Sequence, residues 1–207
     1  GDCVVKVMIT RGVGGRGYSP EGAVKPNFII TQHTIPAHYT LWQNEGLKLT
    51  ISPITLACQP LLAGIKHLNR LEQVLVKQQL AQTVYNDAVV CDTQQKIIET
   101  SVANLFWYAD NVWYTPDLCE SGVEGVMRNQ VLAVMKDNGV QCNVVKQDVS
   151  ALFRAQQLFV CNSLMMLVPV VSLFNPANQQ SKNYLVDETK TIQHYVDRAI
   201  NLKAINI

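Results

Sequence analysis

Four places in this 207-residue chain combine residue types in ways that could do chemistry. Lys66 stands in Ala63-Gly64-Ile65-Lys66-His67-Leu68, at the expected start of a helix in which Leu68, Leu71, Val74 and Leu75 recur at helical spacing. Glu99 interrupts the apolar run Lys96 to Phe106, where a carboxylate either pairs with a cation or hydrogen-bond donor or faces solvent on the polar side of a strand. Gly125-Val126-Met127 opens a second helix. A helix start offers free N–H groups and a positive dipole end suited to phosphate, and the same residues also read as plain loop-to-helix entry. Arg11 to Gly17 holds four glycines, at 12, 14, 15 and 17. It lacks the spacing and context of a dinucleotide or P-loop fingerprint, so it is either an ordinary hairpin loop or a functional one of another kind.

Other chemistries find little support. The histidines at 33, 38, 67 and 194 show no metal-type spacing, and the six cysteines are far apart with no CxxC pair. The expected metal complement is none, and the cysteines read as buried thiols in a reducing, cytoplasmic compartment. No GxSxG elbow is present.

The elements that must position these residues follow from pattern. Val4 to Thr10 is an apolar, β-branched strand, answered across the glycine loop by a strand over Asn27 to Gln32. Such a hairpin cannot bury both its faces alone. Leu47 to Ile51 alternates as a strand and the Lys66 helix follows. Ala88 to Cys91, Lys96 to Trp107 and Asn111 to Thr115 then read as an antiparallel meander, with a tight turn at Ala109-Asp110-Asn111. A helix from Val126 to Lys136 ends at Asn138-Gly139. The strand Cys142 to Lys146, a short helix over Ser150 to Gln156 and the strand Leu158 to Cys161 come next. Leu164 to Phe174, a loop over Asn175 to Asn183 and an amphipathic helix from Asp187 to Ile200 complete the chain.

Composition sets limits on partners. With 48% hydrophobic and 16% charged residues the chain has the makings of a packed core. A net charge of +1 without a basic run leaves no electrostatic footprint for nucleic acid. The longest apolar stretch, eight residues from Leu164 to Val171, falls far short of the roughly 20 that cross a bilayer, so no membrane partner is expected.

Taken together, several motifs resemble one family. Ala63 to Gln73, with its Lys66-His67-Leu68-Asn69-Arg70-Leu71-Glu72-Gln73 run, is similar to the lysine segment of 4-amino-4-deoxychorismate lyases. These are fold-type IV pyridoxal-phosphate enzymes, grouped with branched-chain and D-amino-acid aminotransferases. Arg11 to Ser19, Pro36-Ala37-His38-Tyr39, Glu99 through Ala103 to Trp107, Gly122 to Arg128 and Cys161 to Leu164 up to Val168-Pro169-Val170 resemble further family motifs, in family order. The resemblance implies pyridoxal 5'-phosphate as cofactor. It makes Lys66 the Schiff-base lysine and Glu99 the partner of the pyridine nitrogen. It puts Val126, Met127, Asn162 and Ser163 around the phosphate, and Arg16 and Tyr18 against substrate carboxylates.

The implied reaction is elimination of pyruvate from 4-amino-4-deoxychorismate to leave 4-aminobenzoate, a folate precursor. The implied partners are a small-molecule substrate and a second copy of the chain. The shared lysine, glutamate and phosphate elements also fit an aminotransferase, and a catalytically silent binding module is a third possibility. The implied fold is α/β (α+β): a remnant of a small N-terminal domain over 1–34, a linker over 35–40, and over 41–207 a larger domain with a bent, mostly antiparallel sheet and flanking helices. Family members carry roughly a domain's worth of chain ahead of the strand at Cys3, with a His-x-x-Arg element whose arginine binds the phosphate. No such leading segment is present in these residues, so an N-terminal portion is expected to have been removed. Losing that contact lowers cofactor affinity by roughly one to two orders of magnitude.

Overall fold

The computed structural model describes residues 3–205, which fall into two units divided between Tyr39 and Thr40. In the first unit, β1 (Val4–Thr10) pairs antiparallel with β2 (Asn27–His33), from Val4 opposite His33 to Thr10 opposite Asn27. Gly12 has φ +100°, and a Cβ there would collide with the carbonyl of Lys25, so only glycine lets the loop close on itself above the last strand pair. The stretch read as a linker runs into an unanticipated helix, α1 (His38–Glu45). It buries no residue, and so it carries no apolar stripe from which to read it.

The second unit is built on β3 (Leu47–Ile51), β4 (Asp87–Cys91), β5 (Ile97–Thr100), β6 (Asn104–Ala109), β7 (Val112–Pro116), β8 (Cys142–Val145), β9 (Gln157–Asn162) and β10 (Met166–Asn175). They form one path, β5-β4-β3-β10-β9-β6-β7-β8, with β11 (Gln180–Asn183) alongside β10. Five of its pairings are antiparallel and three, β10 with β3, β3 with β4 and β7 with β8, are parallel. The mostly antiparallel sheet is therefore as expected. The meander is not, because β5 and β6 are separate strands lying five steps apart on the path.

That separation makes the sheet curl. Five steps at about 4.8 Å would put β5 and β6 roughly 24 Å apart in a flat sheet. The link from Thr100 to Asn104 reaches at most about 14 Å even when extended. It is in fact a tight turn: the Thr100 N–H donates to Ala103 O at 2.7 Å, and the Ala103 N–H donates back to Thr100 Oγ1 at 3.0 Å. Ser101 donates its hydroxyl to the buried carboxylate of Asp87 at the start of β4. The path bends until its first strand comes round to its sixth. Asp110 and Asn111, with φ of 52° and 63°, make the two-residue turn between β6 and β7.

Helices cover the curl in two places. α2 (Leu71–Leu80) lays Val76 and Leu80 on Ala88, Val90 and Ile98. α3 (Val126–Asp137) and α5 (Asp187–Ile205) cover the other half, where Met127, Val131, Met135, Ile192 and Val196 meet Phe106, Trp113 and Phe159. α4 (Ser150–Arg154) precedes β9. Phe159 is the hub of the larger cluster, 4.8 Å from the Phe106 ring and 5.0 Å from Trp113, and fully buried. Phe159→Ala is expected to lower unfolding free energy by about 3–5 kcal/mol in urea titration, with the transition still single.

Candidate active site

α2 begins at Leu71, five residues after Lys66, so the lysine is not at a helix start. The reason lies in Arg70. Its guanidinium donates from Nε to His67 O and from Nη2 to Ile65 O, both at 2.9 Å, and takes carbonyls that a helix would have used. Residues 65–70 stay irregular. The apolar spacing that suggested an earlier start marks no core face either, since Leu68, Leu71, Val74 and Leu75 are all exposed.

The irregular segment is tied to residues 122–124. The Gly64 N–H donates to Gly122 O and the Glu124 N–H to Gly64 O, each at 3.0 Å, which makes a parallel bridge between Gly64 and Val123. The Val123 N–H, one residue along, donates to Glu99 Oε2 at 2.9 Å. Gly122 has φ +84°, and a Cβ there would lie 2.4 Å from Ile98 Cγ2 and 3.3 Å from Glu99 Oε2. A glycine is required if the backbone is to approach the acid this closely.

Glu99 points inward, not to solvent, and is only 5% exposed. Burial pushes its carboxyl up to about 7, against the Val123 N–H, the charges of Arg70 and Lys66, and a bond from the Gln73 side chain. Lys66 is thus near enough for its charge to act on the Glu99 carboxylate. A buried acid with partial cationic compensation suits a further positive group on its open side.

The same 122–124 segment leads into α3. Asn104, buried on β6, donates from Nδ2 to Val123 O at 2.8 Å and accepts the Gly125 N–H on Oδ1 at 3.2 Å. The first intrahelical bond of α3 runs from Asn129 N–H to Gly125 O, and no side chain caps the helix at Gly125. Val126 and Met127 therefore stand where backbone N–H groups are free to hold an anion. Val126 is exposed and Met127 buried.

Ser163 lies exposed on the turn between β9 and β10. Asn162 builds that turn: its Oδ1 accepts the Leu164 and Met165 N–H groups, both at 2.9 Å, and its Nδ2 donates to Val102 O. Because Cys161 pairs with Asn104, the turn lies at the end of β9 nearest the start of α3. Arg16 and Tyr18 belong to the first unit, exposed on the loop between β1 and β2. Among the described residues no group of three His, Cys, Asp or Glu side chains is arranged to hold a metal ion. No helix among them is long and apolar enough to cross a membrane.

Lys66, Glu99 and the start of α3 are thus gathered by one short segment of backbone. Arg70, Gln73 and Asn104 belong to this gathering too, and spacing alone gave them no role. A polar side chain in an amphipathic helix or at a strand end reads as a solvated face unless its partner is known.

Residues 1–173 match the family model for amino-transferase class IV. The chain belongs to that family. Within it, the chain is 44% identical over 175 residues to the aminodeoxychorismate lyase of Vibrio harveyi, covering 84% of this chain and 65% of that one. The crystal structure of 4-amino-4-deoxychorismate lyase from Pseudomonas aeruginosa superposes with a TM-score of 0.85 at 32% identity, covering 92% of this chain and 68% of that one. The branched-chain-amino-acid aminotransferase of Escherichia coli is more distant, 25% identical over 105 residues, which is 51% of this chain and 34% of that one. The class IV fold is thus shared with both kinds of enzyme. This chain spans about two thirds of the length of the lyases it matches.

The raised carboxyl of Glu99 has a thermodynamic signature. A folded state that holds this proton more tightly than the unfolded chain is favoured below the ordinary value of 4.5, and the advantage is lost as pH rises through about 7. The ligand-free chain is expected to lose up to about 3 kcal/mol relative to Glu99→Gln between pH 4 and pH 8. Urea titrations of both proteins across that range check it, and parallel curves would contradict it.

Proposed function

We propose that this chain is the cofactor-binding part of an aminodeoxychorismate lyase, acting on 4-amino-4-deoxychorismate to release pyruvate and leave 4-aminobenzoate. The observation that carries the reading is the lacing of the Lys66 segment, Glu99 and the start of α3 by residues 122–124. An amine, a buried acid and a free helix N-terminus in one place fit the aldehyde, ring nitrogen and phosphate of pyridoxal phosphate. When bound, that group supplies an aldehyde for amines to condense with and a ring that withdraws electron density from the carbon beside them.

The chain's own residues then have distinct tasks. Glu99 holds a proton on the ring nitrogen. Val126 and Met127 offer backbone N–H groups to the phosphate, joined by the Ser163 hydroxyl on the turn that Asn162 holds. Lys66 Nζ, released once the substrate amine takes its place, removes a proton from the substrate and returns it to the pyruvyl methylene, so one lysine serves as base and then acid. Arg16 and Tyr18 are assigned to the substrate carboxylates. Aromatisation of the product ring favours the cleavage. The lyase is preferred to a transaminase because the Lys66 to Gln73 run resembles the lyases and the Vibrio harveyi lyase is 44% identical.

The same reading implies a small domain over 1–34 joined by a linker over 35–40 to the larger one over 41–207. It also implies a homodimer, a cytoplasmic location and a role in folate synthesis. Titration with pyridoxal phosphate is expected to give a visible absorption band, and borohydride to fix the added mass on the peptide containing Lys66. Lys66→Ala should show no band, and a band that survived would overturn the assignment. The loaded protein should release pyruvate and 4-aminobenzoate in equal amounts. Transfer of an amino group to a 2-oxo acid without pyruvate release would make it a transaminase.

A further inference from the structure

Asp87 has no part in the roles assigned so far, yet it is a carboxylate only 1% exposed at the head of β4, whose other residues are Ala, Val, Val and Cys. A charge in such a place is costly unless it is paired and hydrogen-bonded. Its Oδ1 accepts the Ser101 hydroxyl and, at 2.9 Å, the Ala88 N–H, while Lys77 Nζ in the last turn of α2 lies 3.7 Å away. Its Oδ2 has no hydrogen-bond partner among the described residues. The ladder to β3 and β5 runs on backbone bonds and needs no acid here. What the carboxylate adds is its grip on Ser101, a bond to a charged acceptor and so roughly twice as strong as a neutral one.

Ser101 is buried too, and its N–H donates to Ala88 O at 3.2 Å, one rung beyond the Val89–Thr100 pair. The turn it opens contains neither glycine nor proline, so side chains must fix its shape. Three parts of the candidate site leave from that turn. Glu99, two residues before Ser101, accepts the Val123 N–H. Asn104, three residues after, accepts the Gly125 N–H at the start of α3. The Val102 carbonyl, next to Ser101, accepts from Asn162 Nδ2 at 3.2 Å, and Asn162 Oδ1 in turn holds the Leu164 and Met165 N–H groups of the turn that carries Ser163.

We propose that Ser101, anchored on Asp87, is the positioning residue of the site: its hydroxyl fixes the 100–104 turn in the shape that aims Glu99, Asn104 and Asn162 at their backbone partners together. The inference rests on the reading of those three as the surroundings of a pyridinium nitrogen and a phosphate. Neither Ser101 nor Asp87 touches the cofactor in this scheme. A turn free to shift by a fraction of an ångström would move the acid and the two phosphate-side elements relative to one another, and a rigid ligand that must meet all three would bind less tightly. The buried charge at 87 offsets that freedom by committing one strong bond to the middle of the arrangement.

The test compares the chain with Ser101→Ala by amide hydrogen exchange in the ligand-free protein. The N–H groups of Val123, Gly125, Leu164 and Met165, whose acceptors are the three aimed side chains, should exchange roughly tenfold faster, while those of Phe106 and Phe159 in the core keep their rates. Asp87→Leu should give the same pattern, and the two changes together no more than either alone. Affinity for pyridoxal phosphate, read from the absorption band, should fall roughly tenfold in each. If Ser101→Ala does not fold, Ser101→Cys, a weak donor of similar size, takes its place. Unchanged exchange at the four amides, exchange that rises in step with the core, additive effects of the two changes, or undiminished affinity for pyridoxal phosphate overturns the positioning role. Selective acceleration of the four amides in a protein that binds no pyridoxal phosphate even unaltered supports the hold of Ser101 on the three side chains and overturns the cofactor reading alone.

Discussion

The structure of the site depends on a pair of backbone hydrogen bonds, those between Gly64 and residues 122 and 124. Lys66 is on an irregular segment and Glu99 on a strand, and each is separately compatible with many folds. The bridge brings them into register, because residue 123, opposite Gly64, also gives its N–H to Glu99. Backbone bonds suit this task. They have no rotamers to lose, and glycine at 64 and 122, both at positive φ, lets the strands of the bridge approach without side chains between them.

Burying Glu99 is costly, and the surroundings offset that cost only in part. One N–H, one amide and two nearby cations oppose a desolvation that still dominates, which is why the acid holds its proton up to about pH 7. A group in that condition is poised: small changes in the charge facing it decide whether it is neutral or ionised. The curled sheet makes this possible, since the tight turn at 100–104 sends β5 and β6 to different parts of the path while leaving Glu99 and Asn104 on the same short stretch of chain. Asn104 then fixes the entry to α3 from one side as Glu99 fixes residue 123 from the other.

Much of this was legible in residue pattern, and the failures have definite causes. β1 and β3 declare themselves by alternation or by β-branched runs, and the turn at Asp110-Asn111 and the stop at Gly139 by residues that tolerate positive φ. Lys96 to Trp107 read as one strand because the link at 101–103 has no glycine or proline. Its turn is made by the Thr100 side chain bonding locally, a signal hidden in an ordinary strand residue. β11 was missed because its residues, Gln180 to Asn183, are all polar. Near Lys66, the leucines that suggested a buried helix face lie exposed, while Val76 and Leu80 do the packing. The roles of Lys66, Glu99 and the start of α3 came from resemblance, not from spacing. Spacing supplied the residue types, and only the fold shows that they meet.

The gathered residues are also close in sequence. From Gly64 to Met127 the chain contributes the amine, the acid and the helix N-terminus without help from α5 or the β1–β2 hairpin. A ligand gripping all three would act as a cross-link over some sixty residues of one continuous segment. Amide protons there would become slower to exchange with solvent, while those of the hairpin and the last helix would keep their pace, so occupancy would be written into a contiguous block of the backbone.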